Sequence, residues 1–473
     1  MIDIEDLDGA EVLLAGAGVT GGPTAKALLA LGARVTVTDG NQQRLAALAE
    51  ELPAIRAEVD LTAPPEGTRL VVTAPGWKPS NPLFLAAARA GIEVIGDVEL
   101  AWRICSTDDD PPAWLVVTGT NGKTTTVSML ESILRAAGED AIACGNIGLP
   151  VVEAVAAGHR VLAVELSSFQ LYWAPSVRPT AGVLLNIAPD HLDWHGEMAD
   201  YIAAKQRVLL GDVAIAGIDD DLVAGLLAES PASSKYGVTM GEPALGQLGI
   251  VDGQLVDRAF ADGAVLLDAA QVHPAGPSGV FDALAAAALA RAHGVSAEAV
   301  AKGLLDFQPG GHRGAEVGVL DGVRYLDDSK ASNPHAAAAA IRAHQRVVWL
   351  AGGLLKGADV DELVAELAPR LVGAVLLGAD RDVIAAALAR HAPDVPVHLA
   401  GAGDDEAMEA SAVMVDAVRA ASEFARPGDV VLLAPAGASW DMFTDYAHRG
   451  RAFAEALGVV AAQKQLARPG DPA

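Results

Sequence analysis

The stretch Gly119-Thr120-Asn121-Gly122-Lys123-Thr124-Thr125 constrains this chain more than any other. It follows an apolar run, Trp114-Leu115-Val116-Val117, and leads into a helical pattern from Val127 to Leu134. A glycine-rich turn between strand and helix lets backbone N–H groups close around phosphate oxygens, and the helix N-terminus adds partial positive charge. Lys123 adds a full charge, and a Thr124 or Thr125 hydroxyl can ligate Mg2+. The spacing is G-x-x-G-K-T-T, with Val117 where the ordinary first glycine stands, so this is a variant phosphate loop. It predicts binding of a nucleoside triphosphate.

At 473 residues the chain is too long for one core and suits about three domains. A hydrophobic share of 51% against 20% charged residues excludes a disordered chain. The acidic start, MIDIEDLDGAEV, lacks the basic and apolar regions of a signal peptide. No apolar run reaches the roughly 18 residues of a membrane span. Cys105 and Cys144 alone exclude a disulfide framework and suit a reducing compartment, so a cytoplasmic location is expected. The net charge of −28 argues against non-specific nucleic-acid binding. Neither nucleic acid nor membrane is an expected partner. Anionic substrates would need Lys and Arg concentrated in the clefts.

Strand and helix patterns alternate along the whole chain, which means mostly parallel sheets with right-handed crossovers. The predicted fold class is α/β in three domains, each a mostly parallel doubly wound sheet. Residues 1–106 read as a Rossmann-like domain, 107–309 as a P-loop ATPase-like domain, and 310–473 as a second Rossmann-like domain. The run Ser106–Pro112 forms a polar linker. Within the middle domain, Asp252-Gly253 reads as the turn of a hairpin. The tail is expected to fray from about 463.

Several motifs fall at strand ends. Gly16-x-Gly18-x-x-Gly21 followed by Asp39 has the dinucleotide fingerprint, and alone would say NAD-dependent dehydrogenase. A second nucleotide loop in one chain makes that less simple. Glu165 ends an apolar strand and opens Glu165-Leu-Ser-Ser-Phe-Gln-Leu171, and the next strand leads to Asp190-His191. A carboxylate and an imidazole from adjacent strand ends suit divalent metal beside a phosphate loop. Tyr201 and Lys205 lie one helical turn apart; alone, such a lysine reads as solvated. The third domain offers Gly311-His312-Arg313, Asp327–Asn333, Gly352–Lys356 and Pro435–Phe443. Arg313, Lys330 and Lys356 are the local cations that anionic ligands require.

Together with Gly145-Asn146-Ile147-Gly148 and Ala438-Ser439…Phe443, these strings make the chain resemble the Mur ligases of peptidoglycan synthesis. The resemblance runs over essentially the whole chain, and Glu165–Leu171 is most similar to the D-glutamate-adding branch. It implies an ADP-forming acid–amino-acid ligase acting on UDP-N-acetylmuramoyl-L-alanine, D-glutamate and ATP with two Mg2+ ions. A monomer is expected. The first domain would hold the UDP moiety, with Gly18, Asp39, Thr73 and Gly76 near it. Lys123 would sit on the terminal phosphates. Thr124, Glu165, His191 and Lys205 match metal-site positions, and Lys205 matches a lysine carbamylated in the family. Catalytic roles fall on Lys123, Lys205 and His191. Arg313 and Asp328 match ATP contacts, Asn146 a substrate position, and Lys330, Ser332, Lys356, Ser439 and Tyr446 the surroundings of D-glutamate.

One departure stands out. The family's His-Asn-x-x-Asn run, which contacts the nucleotide, is replaced by Ser278-Gly279-Val280-Phe281-Asp282, and Tyr446 stands where Phe is usual. Rivals are another Mur or folylpolyglutamate-type amide ligase, an NAD-dependent dehydrogenase, and a non-catalytic nucleotide switch.

Overall fold

A computed structural model describes residues 2–401 and 409–467. The chain divides into two compact units. The first runs to Phe307 apart from Ala188–Asp190 and His273–Ser278; the second holds those two segments and the chain from Gln308. The described residues form three sheets, two in the first unit and one in the second.

The N-terminal sheet joins β1 (Glu11–Ala15), β2 (Arg34–Asp39), β3 (Arg56–Val59), β4 (Thr68–Thr73) and β5 (Glu93–Gly96) in the order β3-β2-β1-β4-β5. All pairs are parallel. β1 and β4 are buried on both faces, which is why they read as continuous apolar runs. The order reverses between β1 and β4, so their carboxyl ends open a crevice.

The second sheet takes β6 (Ala113–Thr118), β7 (Ala141–Gly145), β8 (Val161–Glu165), β9 (Ala181–Leu184), β10 (Val213–Gly217), β11 (Ser234–Val238), β12 (Gln247–Val251), β13 (Gln254–Asp257) and β14 (Ala264–Asp268). Their order is β14-β13-β12-β11-β10-β9-β6-β8-β7. From β7 to β12 the pairing is parallel; β12, β13 and β14 are antiparallel. The predicted hairpin turn is in place, with Asp252 and Gly253 both at positive φ. One core lies on each face of the sheet. The helix Lys123–Ala136 and the Ala-rich helix Pro277–Ala292 pack on one side. Val98, Ala101 and Cys105 of the first domain share the other core, so the two sheets are joined by common packing. Both cysteines are buried, and desolvation pushes their thiols up to about 11 for Cys105 and about 12 for Cys144.

The third sheet, in the second unit, orders β15 (Ala315–Leu320), β16 (Val323–Asp327), β17 (Val347–Gly352), β18 (Leu371–Leu377), β19 (Val397–Leu399) and β20 (Val430–Ala436) as β15-β16-β20-β17-β18-β19. Only the β15–β16 pair is antiparallel. The tail differs from expectation. A 22-residue helix, Tyr446–Ala467, continues past 463, because Phe453, Ala456, Leu457 and Val460 bury one face of it. The rest of the expected frayed tail, 468–473, lies outside the described residues.

Asp97 opens the helix Asp97–Cys105 and is buried, with neither carboxylate oxygen hydrogen-bonded among the described residues. Desolvation outweighs the pull of the Val98 amide and pushes its carboxyl from the ordinary 3.8 to about 7. The folded state therefore binds a proton between those values that the unfolded chain has released. Stability falls as pH rises through that window. Asp97→Asn is expected to raise the melting temperature relative to the parent at pH 8 and to have a much smaller effect at pH 4, a difference read by paired thermal melts.

Candidate functional site

The phosphate loop leaves β6 at Thr118 and enters its helix at Lys123. Gly122 has φ +87°, and a Cβ there would collide with the Asp282 carboxylate, so the position requires glycine. At Gly119 a Cβ would come within 2.9 Å of Leu185 Cβ. Asn186, just past β9, clamps the loop. Its carbonyl accepts from the Thr120 amide (3.0 Å), its Oδ1 accepts from the Asn121 amide (2.9 Å), and its Nδ2 donates to Asn121 O (3.1 Å). Lys123 Nζ donates to the Gly119 and Thr120 carbonyls at 2.9 and 2.8 Å. Thr124 is partly exposed at the helix start, and Thr125 is buried.

Under this loop lies Lys205. It is 2% exposed, and its Nζ donates to Gly119 O (2.6 Å) and sits 4.9 Å from the Tyr201 ring centroid. Tyr201 Oη in turn pairs with Thr120 Oγ1 at 2.9 Å. The solvated-helix alternative for Lys205 is therefore excluded by its burial.

Beside the loop, β8 pairs with β6 so that Glu165 is level with Val117. Glu165 is 1% exposed; its Oε1 accepts from Asn146 Nδ2 (2.7 Å), while Oε2 is buried with no hydrogen-bond partner among the described residues. Asn146 is fixed by its own amide donating to Glu165 O. After Glu165 the chain makes a capping box, Ser167 with Gln170. Ser168 Oγ meets His195 Nε2 at 2.9 Å, and the Phe169 ring lies 4.8 Å from that of His191. His191 has φ +56°, a left-handed conformation that costs energy for a non-glycine residue. Burial, then the charges of His191 and Lys205, push His195 down to about 4, so its imidazole is neutral at pH 7.

The orphaned Glu165 oxygen is the observation that fits a divalent cation here. Among the described residues no three His, Cys, Asp or Glu side chains form a closed metal cage. Mg2+ needs none: one or two carboxylates plus phosphate oxygens and water suffice. Glu165 with the phosphate-loop hydroxyls suits that mode.

In the N-terminal sheet, Gly16 (φ +117°) turns the chain out of β1, and Gly21 lets the helix approach Gly16 O. Asp39 shapes this loop directly, its Oδ2 accepting from the Ala17 amide and its Oδ1 from the Asn41 amide. Thr73 is buried at the end of β4. Gly18 and Gly76 have open space where a Cβ would stand. The Gly76 turn is tied to the His191 segment: Trp194 Nε1 donates to Gly76 O (3.2 Å) and Lys78 Nζ to Asp193 O (2.7 Å).

In the second unit, three loops meet because β16, β20 and β17 are neighbours. Leu354 and Ala438 exchange backbone bonds across two of them. Asp327 accepts from the Ser329 amide and pairs with His312 Nδ1 at 2.6 Å. Desolvation pushes Asp328 up to about 7 against the opposing pull of Arg313, with Asp327 adding to the rise. Lys330 Nζ lies 3.9 Å over the Tyr446 ring. Ser332 is partly buried and Ser439 buried. Lys356, at φ +54°, is exposed and 5.4 Å from the ring centroid of Trp440.

Within the first unit the fold thus gathers Gly119–Thr125, Asn146, Glu165 and Lys205, with His191 against the Phe169 ring. Gly18, Asp39, Thr73 and Gly76 lie at or just beyond the carboxyl ends of β1, β2 and β4. Within the second unit it gathers Arg313, Asp328, Lys330, Ser332, Ser439 and Tyr446, with Lys356 on the adjoining loop. Sequence reasoning passed over Asn186, Asp282, His195 and Arg449. Asn186 carried a signal, since it ends the predicted strand Gly182–Asn186 that leads to Asp190-His191.

A glycine phosphate loop on a parallel sheet, a buried carboxylate and lysine around it, and a second Rossmann-like unit rich in cations define a class of ATP-dependent ligase. A model of the Mur ligase middle domain matches residues 117–251, and one of the Mur ligase glutamate ligase domain matches 312–437. The chain belongs to the Mur ligase family. It is 53% identical to the UDP-N-acetylmuramoylalanine--D-glutamate ligase of Nocardia farcinica, over 96% of this chain and 97% of that one. The enzyme of the same name from Mycolicibacterium smegmatis is also 53% identical, covering 95% and 96%. Among solved structures, MurF from Acinetobacter baumannii shares the fold with TM-score 0.59 at 18% identity, over 97% of this chain and 93% of that one. A pseudomurein peptide ligase type C from Methanothermus fervidus gives 0.57 at 17%, over 96% and 100%. Membership sets aside the dehydrogenase and switch readings.

Asn186→Ala removes both side-chain bonds that hold Asn121. The KM for ATP is expected to rise about tenfold or more, on the scale of losing preorganised contacts, with the melting temperature little changed. Steady-state phosphate release against ATP concentration measures it.

Proposed function

We propose that the chain joins D-glutamate to UDP-N-acetylmuramoyl-L-alanine, converting ATP to ADP and phosphate, in the cytoplasmic synthesis of peptidoglycan precursors. The observation that carries the chemistry is the orphaned Glu165 oxygen beside a phosphate loop underlain by Lys205. The near full-length identity to relatives of that name supports the choice of substrates. No described helix is long and apolar enough to cross a membrane. The proposed division of labour is residues 1–106 for the UDP group, 107–309 for ATP and 310–473 for the amino acid, in a monomer.

A carboxylate repels an amine and lacks a leaving group. An oxygen of the substrate carboxylate therefore attacks the γ-phosphorus of ATP, the bond to ADP breaks, and an acyl phosphate forms. The D-glutamate amine attacks the acyl carbon, the amide bond forms, phosphate departs, and the amine loses a proton. Three anions must meet for this. Lys123 steadies the terminal phosphates, and Arg313 and Asp328 are assigned to ATP. Lys330 and Lys356, with Ser332, Ser439 and Tyr446, are assigned to D-glutamate. Gly18, Asp39, Thr73 and Gly76 are assigned to the UDP group, and Asn146 to the sugar-nucleotide substrate. Thr124, Glu165 and His191 would hold Mg2+, two ions in this reading, which neutralises phosphate charge when bound. Lys205, carbamylated, would add an anionic ligand.

Wild-type protein with ATP and UDP-N-acetylmuramoyl-L-alanine is expected to release phosphate with D-glutamate and hardly at all with L-glutamate, L-alanine or diaminopimelate. Faster release with any of those three would contradict the assignment. Lys205→Ala is expected to lose activity by about 10²-fold or more, the scale of removing a charge-stabilising group, and to regain part with added acetate or formate. Normal activity in Lys205→Arg would show that no carbamate is needed.

A further inference from the structure

Arg449 is 1% exposed, yet among the described residues it makes no direct bond to a carboxylate. Its guanidinium is spent on three oxygens from two loops. Nε donates to Ser329 Oγ (3.0 Å), Nη2 to Ser329 O (2.8 Å) and Nη1 to Gly437 O (3.0 Å). Burial of a cation without an abutting anion is costly, and here it lowers the Arg449 pKa to about 10, with Asp441 and Asp327 opposing at longer range. A purely apolar side chain would fill the volume without that cost. A guanidinium offers what an apolar side chain cannot, a rigid planar fork that fixes the separation of its acceptors.

What it fixes is specific. Ser329 precedes Lys330, and Gly437 lies two residues before Ser439. The same helical turn supplies the rest of the frame. Tyr446 O accepts from Ser329 Oγ at 2.8 Å, and its ring lies beneath Lys330. At Gly450, a Cβ would collide with the His312–Asp327 pair, so the helix approaches that pair only with glycine there. Tyr446, Arg449 and Gly450 therefore hold the β16 and β20 loops in one arrangement.

We propose that Arg449 is a positioning residue for amino-acid recognition: it locks Ser329 to Gly437 so that Lys330 and Ser439 stand at the spacing a dicarboxylate amino acid requires. The inference rests on the reading of this pocket as the D-glutamate site. Arg449 itself touches no substrate group in this account. A shift of about an ångström in such an anchor is enough to cost an enzyme a large factor.

The test is steady-state kinetics of the full chain with Arg449→Met, Arg449→Lys and Ser329→Ala. For Arg449→Met the KM for D-glutamate is expected to rise about tenfold or more, while that for the sugar nucleotide stays within about twofold. Arg449→Lys recovers part of the loss and Ser329→Ala gives an intermediate one. A uniform rise in both KM values, or a fall in kcat alone, would overturn the proposal. Should Arg449→Met melt below the assay temperature, Ser329→Ala carries the same comparison. If wild-type protein turns over with a different amino acid, the D-glutamate reading fails, and the KM split measured with that amino acid still decides the role of Arg449.

Discussion

The flush carboxyl ends of four parallel strands, β7, β8, β6 and β9, are the constraint on which the first unit depends. Register sets Gly145 level with Glu165, Glu165 with Val117, and Thr118 with Leu184. One residue beyond those levels, each chain turns into a loop. Asn146 and Leu166 then stand level with Thr118 and Leu184, and Gly119 and Leu185 follow one residue further along. A one-residue slip of β8 would send Glu165 to the opposite face of the sheet. The interior of these strands is apolar because helices cover both faces, so polar chemistry is confined to their ends.

Burial at those ends does not serve stability. Glu165 and Lys205 are both almost fully buried around one loop, an arrangement that weakens a fold unless a ligand or bonded network compensates. Lys205 is compensated through Gly119 O and the Tyr201 ring. Glu165 keeps one oxygen without a partner, a cost that binding of a cation would remove. The second unit works differently. There the loops cross so closely that Gly352, Gly353 and Gly378 all take positive φ against neighbouring backbone, and Arg449 ties the remaining pair.

Much of this was legible in the sequence because the signals were local. Strand–glycine–lysine–helix named the phosphate loop, and Asp252-Gly253 named the hairpin. Resemblance supplied the rest of the site: nothing in the spacing of Tyr201 and Lys205 distinguishes a buried lysine from a solvated one. Burial is decided by the sheet and by Gly119, 86 residues away in sequence. Asp282 was left out for a related reason. Its run departs from the family pattern, and only packing puts its carboxylate against Gly122. Arg449 is one arginine in a long helical pattern, and its three acceptors lie up to 120 residues away. β3 escaped because Arg56–Val59 is only four residues long and exposed throughout, so no buried apolar face marks it. The helix past 463 was missed because polar Gln463 and Lys464 hide the apolar stripe before them.

The proposed acyl phosphate is the centre of the account, since the loop, the carboxylate and the cations all serve its formation. It is tested most directly by isotope transfer. UDP-N-acetylmuramoyl-L-alanine labelled with oxygen-18 in its carboxylate is turned over with ATP and D-glutamate, and the released phosphate is examined by mass spectrometry. Attack of that carboxylate on ATP carries one labelled oxygen into each phosphate. Phosphate free of label, with amide still formed, would contradict the account.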